Sequence, residues 1–320
     1  MKTKERTINL LIAIGSLLFL TAILEIIFRF PAIQQQTGGN WPKLKTWMDY
    51  VWYNERNSWG FRDREHAYQK PKDTYRILIL GDSIAYGQMV EFQDIFPVRL
   101  EQKLNETSGQ TVEVINMGLM GWNTVEQLQA LIVYGLRFQP DLVVIAFYLN
   151  DPQVKDNPRF EEIADSERKL LPLTGLDQWL NEKSYFYSFV RWRYNRLLEK
   201  LGSKTDYRVW QKSLYNQESR GWQDFEFALN QIVDSSRQAG AEIILVNLNL
   251  EDDWEEESVQ VKSLADSLNL PSLTMRQYFS KLNYSGLVVS PSDWHPNAQA
   301  HQIYARILTD YIADKVLNIH

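Results

Sequence analysis

Three separated segments of the chain carry the side chains that serine-based acyl transfer needs. Ser83 follows a Gly-Asp pair, Asn150 precedes an aspartate, and His295 stands two residues after Asp293. A serine hydroxyl attacks an ester carbonyl when an imidazole takes its proton, and a carboxylate can orient and charge-stabilise that imidazole. A side-chain amide can donate a hydrogen bond to the developing oxyanion. These residue types predict a serine nucleophile, a histidine base and an oxyanion site.

Each segment also has an ordinary structural interpretation. The Gly-Asp-Ser triplet could be a helix N-cap, and Asn150 could end a strand in an Asx turn. A fourth segment, Asn116–Thr124, contains Gly118 and Gly121 and could be a simple strand-to-helix turn. Its glycines equally allow a turn whose backbone N–H groups face a cleft. Only the combination of the four segments favours a catalytic site over these structural interpretations.

The small number of imidazoles narrows the choice of base. The chain has no cysteine and four histidines, at positions 66, 295, 301 and 320. Without cysteine there is no disulfide, zinc–cysteine site or thiol nucleophile. His66 precedes the first strand, His320 is terminal, and His301 is expected on the surface of the last helix. His295 is therefore the predicted base, with no metal and no cofactor.

From residue 75 onward, short apolar runs alternate with helical patterns. Strands are predicted at 76–80, 112–116, 142–148, 241–248 and 287–290, with helices at 94–105, 124–138, 185–201, 222–239, 259–268 and 297–316. Strands separated by helices predict a parallel sheet with right-handed crossovers. The fold class is thus α/β, a three-layer α/β/α sandwich with about five strands. Ligands bind such sheets at the carboxyl ends of the strands, where all four segments are expected.

In this order, the four segments resemble the blocks of the SGNH hydrolase superfamily, the GDSL esterases and lipases, over residues 54–316. The resemblance implies a flavodoxin-like SGNH fold and a serine esterase. It implies that Ser83 is the nucleophile, His295 the base and Asp293 the orienting acid, with an acyl-enzyme intermediate. It also implies an oxyanion hole formed by the Ser83 and Gly121 N–H groups and the Asn150 side chain.

Two positions depart from the family pattern. Tyr148 stands where the third block carries glycine, and the acid is one residue closer to His295 than usual, at Asp293 instead of Ser292. A Ser–His dyad with a backbone carbonyl holding the imidazole therefore stays open. The stretch Trp59–Arg62, Trp-Gly-Phe-Arg, resembles the lead-in of bacterial membrane-anchored members.

The first 30 residues are predicted to be a membrane anchor. Lys2, Lys4 and Arg6 precede an apolar run from Ile8 to Leu24, close to the ~20 residues that span a bilayer. A cleaved signal sequence fits less well, because no convincing small-x-small cleavage site precedes Arg29. Positive charge before the run predicts an extracytoplasmic catalytic domain, periplasmic or at the cell surface.

The rest of the chain is predicted to form a stalk and entry segment at 31–74 and a hydrolase domain at 75–320, with a helical insertion at about 152–224 that lines the site. A net charge of −6 without a dense basic run argues against nucleic acid as a partner. The resemblance implies an acyl-ester substrate, either an acetylated glycan or a lipid ester. Two alternatives stay open: a catalytically silent binding or assembly protein of the cell envelope, and an acyltransferase to glycan.

Overall fold

The computed structural model describes residues 2–30, 33, 56–154, 179–180, 183–200, 207–279, 286–290 and 293–317. The chain divides into two compact units. The smaller unit comprises Met1–Asp49, Glu161–Asp206 and Ser290–Asp293, and the larger comprises Tyr50–Phe160, Tyr207–Val289 and Trp294–His320. Parts of two predicted segments lie outside the described residues: 31–32 and 34–55 of the stalk and entry segment, and 155–178, 181–182 and 201–206 of the insertion.

The larger unit is built on a five-stranded parallel sheet in the order β2-β1-β3-β4-β5. Its strands are β1 (Thr74–Gly81), β2 (Thr111–Gly118), β3 (Leu142–Phe147), β4 (Glu242–Asn247) and β5 (Ser272–Thr274). The strand order reverses between β1 and β3, which is where ligands bind in doubly wound sheets. The predicted α/β fold with a central parallel sheet of about five strands is confirmed.

Helices connect these strands. They are α2 (Ser83–Tyr86), α3 (Phe96–Thr107), α4 (Thr124–Val133), α6 (Tyr207–Ser213), α7 (Arg220–Gln238), α8 (Glu255–Ser267), α9 (Arg276–Phe279) and α10 (Ala298–Lys315). Short 3₁₀ turns lie at Phe92–Asp94, Gly135–Phe138 and Asp252–Trp254. The predicted helix bounds differ from these by a few residues, because helix ends carry weaker sequence signals than apolar faces.

Alternate residues of each central strand enter two separate hydrophobic cores. On β1, Ile77 and Ile79 belong to one core and Leu78 and Leu80 to the other. The first core is covered mainly by α3 and α10, the second by α4, α7 and α8. Because both sheet faces are buried, the strands are mostly apolar instead of alternating regularly with polar residues.

The structure differs from the prediction at the last strand. The fifth strand of the sheet is β5, only three residues long and paired with β4. The predicted strand at 287–290 is β6 (Val288–Ser290), which pairs with β7 (Asp293–Pro296) in a separate two-stranded sheet. A three-residue strand is too short for side-chain periodicity to reveal.

In the smaller unit, helix α1 (Lys2–Phe28) contacts helix α5 (Tyr185–Lys200) through the Phe28 ring, which packs against Phe186 and Phe189, and through the Glu25 carboxylate. Glu25 accepts hydrogen bonds from the Ser184 hydroxyl at 2.7 Å and from the backbone N–H groups of Tyr185 and Phe186 at 3.2 Å. Partial burial opposes ionisation, but these hydrogen bonds outweigh it and lower the pKa of Glu25. An ionised carboxylate thus caps the positive end of α5.

The prediction of a membrane anchor is not confirmed. Residues 2–28 are helical as expected. Across the described parts of the chain, however, no helix combines the length and apolarity that crossing a bilayer requires.

Gly118 ends β2 where the strand passes closest to helix α2. A Cβ atom at this position would lie 2.6 Å from the Ala85 Cβ and 2.7 Å from the Tyr86 backbone nitrogen. We expect Gly118→Ala to lower the free energy of unfolding by roughly 1–3 kcal/mol, since backbone must shift to relieve the overlap. Urea denaturation followed by circular dichroism measures this.

Gly286→Ala is the matched control, because a Cβ atom there meets nothing within 4 Å. Equal midpoints for the two variants would show that the contact with α2 does not limit stability.

Candidate active site

Ser83 lies where β1 turns into the short helix α2, at the carboxyl edge of the sheet. The N-cap is Asp82, whose Oδ1 accepts from the Ile84 backbone N–H at 2.8 Å. The helix ends at Gly87, which adopts a left-handed conformation with φ of 74°. Because Asp82 supplies the cap, the Ser83 hydroxyl is not needed for it. As the first helical residue, Ser83 also has a backbone N–H without a partner inside the helix.

The structure brings Ser83 and His295 together across 212 residues of sequence. The His295 Nε2 lies 2.9 Å from the Ser83 Oγ. His295 belongs to β7, just before α10. Asn297, the N-cap of α10, also donates from its side-chain amide to the carbonyls of Gly286 at 2.9 Å and Val288 at 3.1 Å. The hairpin that carries His295 is thereby tied to the start of the last helix.

The loops after β2 and β3 meet beside this pair. Gly121 has a φ of 73°, a left-handed conformation that favours glycine. A Cβ atom there would meet nothing within 4 Å, so steric crowding is not the reason for the glycine. The Asn150 side-chain amide donates to the carbonyl of Trp122, the next residue, at 3.3 Å. Helix α4 then begins with a capping box formed by Asn123 and Glu126. The predicted oxyanion residues of these two loops therefore lie at one place on the sheet edge.

Asp293 is the first residue of β7 and precedes His295 by two positions on the same strand. Side chains two residues apart in an extended strand share a face. The orientation of His295 by Asp293 stays a prediction.

Asp82, the N-cap of α2, is a buried carboxyl directly beside the serine, and the sequence predicted no catalytic role for it. It is 1% exposed. Burial raises its pKa to about 6, although the Ile84 N–H, the charge of His295 and the amide of Asn150 all favour the ionised form. The Gly-Asp-Ser triplet already pointed to this residue, but its burial could not be read from the sequence.

A second buried carboxyl, Asp151, holds the loop after β3 in place. Its oxygens accept from the Gln127 side-chain amide at 2.7 Å and from the Tyr148 backbone N–H at 2.8 Å. Burial raises its pKa well above the usual value, and the negative charge of Asp82 raises it further. The loop that carries Asn150 is thus fixed by the hydrogen bonds of the adjacent Asp151, whose carboxyl resists ionisation.

The prediction that His301 is a surface residue is wrong. The side chain is 0% exposed, and its Nδ1 accepts from the Phe96 backbone N–H at 3.0 Å, at the start of α3. Burial, reinforced by the positive charges of Arg62, His295 and Arg99, lowers the pKa of His301 to about 3. A neutral His301 therefore joins α10 to α3. The sequence could not show which face of α10 another helix covers.

His66 lies in a separate buried cluster, consistent with its exclusion as the base. Its ring nitrogens contact Glu113 at 2.6 Å and Asp63 at 3.0 Å. Burial opposes the charged ring, but these two carboxylates outweigh it and raise the pKa of His66. Asp63 also accepts from the Asn116 backbone N–H at 2.7 Å, and the Asn116 amide donates to the Ala85 carbonyl at 2.9 Å. The cluster therefore supports the helix that begins at Ser83.

Arg62, the last residue of the Trp-Gly-Phe-Arg stretch, holds the other end of that helix. Its guanidinium is fully buried and donates to the carbonyls of Gly87 at 2.7 Å and Val90 at 2.8 Å. The motif was visible in the sequence, but its contact with the serine helix was not. Within the described parts of the chain, no group of three His, Asp or Glu side chains is placed to hold a metal ion.

Residues 79–303 match the model of the GDSL-like lipase/acylhydrolase family. The chain belongs to this family, and hence to the SGNH superfamily that its motifs resemble; it is a serine esterase. A comparison with curated proteins gives no match.

Several solved structures are similar to the chain. TesA is 14% identical with a TM-score of 0.47, over 76% of this chain and 99% of TesA. A two-domain esterase (CEX) active on acetylated mannans is 16% identical with a TM-score of 0.46, over 89% of this chain and 57% of that protein. A catalytic mutant of Axe2, an acetylxylan esterase from Geobacillus stearothermophilus, is 15% identical with a TM-score of 0.44, over 74% and 94%.

The raised pKa of Asp82 predicts a pH-dependent cost in stability. Between the ordinary value of 3.8 and about 6, the folded state binds the proton more tightly than the unfolded chain. Stability contributed by this proton is therefore present at low pH and lost as pH rises through that window. We expect Asp82→Asn, which can still cap Ile84, to gain stability relative to wild type between pH 4 and pH 7. Urea denaturation at both values measures it, and a pH-independent difference would contradict it.

Proposed function

We propose that this esterase hydrolyses a carboxylic ester through an acyl-enzyme, with Ser83 as nucleophile and His295 as general base. The 2.9 Å separation between the His295 Nε2 and the Ser83 Oγ carries the proposal. It lies within the 2.6–3.2 Å range that proton transfer from hydroxyl to imidazole requires. The position of the serine, at the carboxyl end of β1 beside the switch between β1 and β3, adds support.

The reaction proceeds in two halves. Ser83 Oγ attacks the ester carbonyl carbon while the His295 Nε2 takes the hydroxyl proton. The tetrahedral intermediate collapses, the bond to the alcohol breaks, and His295 returns the proton to the leaving oxygen. Water then gives a proton to His295, attacks the acyl-enzyme and releases the carboxylic acid and free Ser83.

The negative oxygen of each tetrahedral intermediate would be met by the backbone N–H groups of Ser83 and Gly121 and by the Asn150 amide. An amide nitrogen carries two N–H donors. One Asn150 donor faces the Trp122 carbonyl at 3.3 Å, and the amide also favours the ionised Asp82 carboxyl; the oxyanion would take the second donor in place of Asp82. The bond to Trp122 orients the amide before substrate binds, which limits the reorganisation that accompanies the reaction.

Asp293 would orient the imidazole from the same strand, two residues before His295. Its carboxylate would favour the tautomer that exposes an unprotonated Nε2 to the serine and would stabilise the imidazolium that forms. A backbone carbonyl could hold the ring in its place, as in a Ser–His dyad.

For the substrate, we favour an acetyl ester on a glycan over a lipid ester. This preference rests on the extracytoplasmic location that the amino-terminal charge pattern predicts. Initial rates with p-nitrophenyl esters of increasing chain length test it directly. A maximum at the acetyl ester supports the preference, and a maximum at long acyl chains would favour a lipid substrate.

Ser83→Ala should abolish hydrolysis, lowering kcat/KM by at least ~10³-fold, because it removes the proposed nucleophile. Labelling by a fluorophosphonate probe should disappear with it. Ser267→Ala, which alters an exposed serine in α8, is the control and should keep both. Hydrolysis at the wild-type rate by purified Ser83→Ala would refute the mechanism. An unlabelled, inactive wild-type protein would instead favour a silent binding role.

Asn150→Ala should lower kcat by about 10²–10³-fold, the usual effect of one oxyanion donor. KM should stay within a few-fold, since the hydrogen bond strengthens mainly in the transition state. Asn150→Asp is the matched variant of equal shape without the N–H donors, and it should be equally impaired. Steady-state kinetics on p-nitrophenyl acetate measures both, and a fully active Asp variant would exclude the amide as a donor.

A further inference from the structure

The residue next to His295 is held by a cation. The Arg208 guanidinium carbon lies 4.2 Å from the centroid of the Trp294 ring. Trp294 immediately precedes His295 on β7. A guanidinium this close to an indole face is attracted by the electron density of the ring. The contact therefore restrains the chain one residue from the base.

Arg208 is itself held by carboxylates. Its guanidinium donates to Glu251 at 2.7 Å and to Asp253 at 3.1 Å. The Glu251 side chain is 8% exposed, whereas that of Asp253 is 73% exposed. Exposed ion pairs contribute little, so Glu251 is the main anchor. Because the guanidinium is planar, holding its edge with Glu251 leaves its face for the Trp294 ring.

The anchor belongs to a loop that is firmly built onto the sheet. Glu251 follows β4, and its backbone N–H donates to the Asn249 side chain at 3.0 Å while its carbonyl accepts from the same side chain at 3.0 Å. The Asn249 N–H in turn donates to the Asn247 side chain at 3.0 Å, in the last residue of β4. Both asparagines are buried. The position of Glu251 is thereby fixed by the carboxyl edge of the sheet.

The strand that carries His295 lies outside the main sheet. Strand β7 pairs with the three-residue β6 in a two-stranded sheet separate from the five-stranded one. After His295, the chain is tied by Asn297 to the carbonyls of Gly286 and Val288. Before His295, the Arg208–Trp294 contact provides the corresponding tie. The base is therefore held on both sides by side chains.

We propose that Arg208 is a positioning residue of the esterase, keeping the His295 Nε2 at the Ser83 hydroxyl by clamping Trp294. Glu251 holds the guanidinium, the guanidinium holds the indole, and the indole restrains the strand that carries the base. This inference rests on the proposed roles of Ser83 and His295. Proton transfer depends steeply on distance, so a small shift of β7 lowers turnover without removing any catalytic group.

Steady-state kinetics on p-nitrophenyl acetate tests the clamp. Arg208→Met and Trp294→Leu should each lower kcat about tenfold and leave KM within about twofold, since binding groups are unchanged. Trp294→Phe keeps an aromatic face and should retain most of the activity, which simple loss of packing would not explain. The double variant should be no worse than either single one, because both break the same contact.

Lys212→Met is the matched control. Lys212 lies in the same helix, α6, and its Nζ is 5.1 Å from the centroid of the Trp254 ring. Lys212 thus makes a cation–π contact with a tryptophan that is not adjacent to His295 in the chain. Its kcat should equal that of wild type.

Three results would overturn the clamp: wild-type kcat in Arg208→Met and Trp294→Leu, fully additive losses in the double variant, or the same loss in Lys212→Met. If Arg208→Met does not fold, the kcat values of Trp294→Phe and Trp294→Leu decide the question: equal values would contradict the clamp. Fluorophosphonate labelling separates these results from failure of the mechanism. A labelled, active wild type with an equally active Arg208→Met refutes the clamp alone, whereas an active Ser83→Ala refutes both.

Discussion

The hydrogen bond between the Ser83 hydroxyl and the His295 imidazole requires the larger unit to hold two distant segments of the chain at a fixed distance. Its two partners are 212 residues apart and 2.9 Å from each other. The serine is held at the end of an interior strand of the main sheet, with a parallel neighbour on each side. The histidine is held by a short hairpin outside that sheet. The precision of the pair therefore depends on how the hairpin is fixed.

Buried polar groups hold the serine and the loop of Asn150 in place. Arg62 and Asp82 hold the two ends of the serine helix, and Asp151 holds the loop of Asn150. Each would be costly in an apolar interior without hydrogen bonds. The raised pKa of Asp82 indicates a remaining cost that the neighbouring hydrogen bonds do not offset. Sites that hold reacting groups in place often retain such costs.

Much of the fold and the core of the site could be predicted because their signals are local. An apolar run followed by a glycine identifies a strand end, and parallel strands bring their ends to one edge. That reasoning placed Ser83, Gly121 and Asn150 correctly at the edge of the sheet. It failed for β5, which is too short to show periodicity, and for His301, whose helix face is covered by a distant helix.

The sequence by itself determined the alternation of strands and helices and the residue types available for chemistry, and it predicted His295 as the base among four histidines. Only the tertiary structure decided which side chains meet. The contact of Arg208 with Trp294, and the burial of Asp82, depend on elements brought together from separate parts of the chain. Periodicity reports the environment of a residue along its own helix or strand. It does not report the partner that packing places opposite.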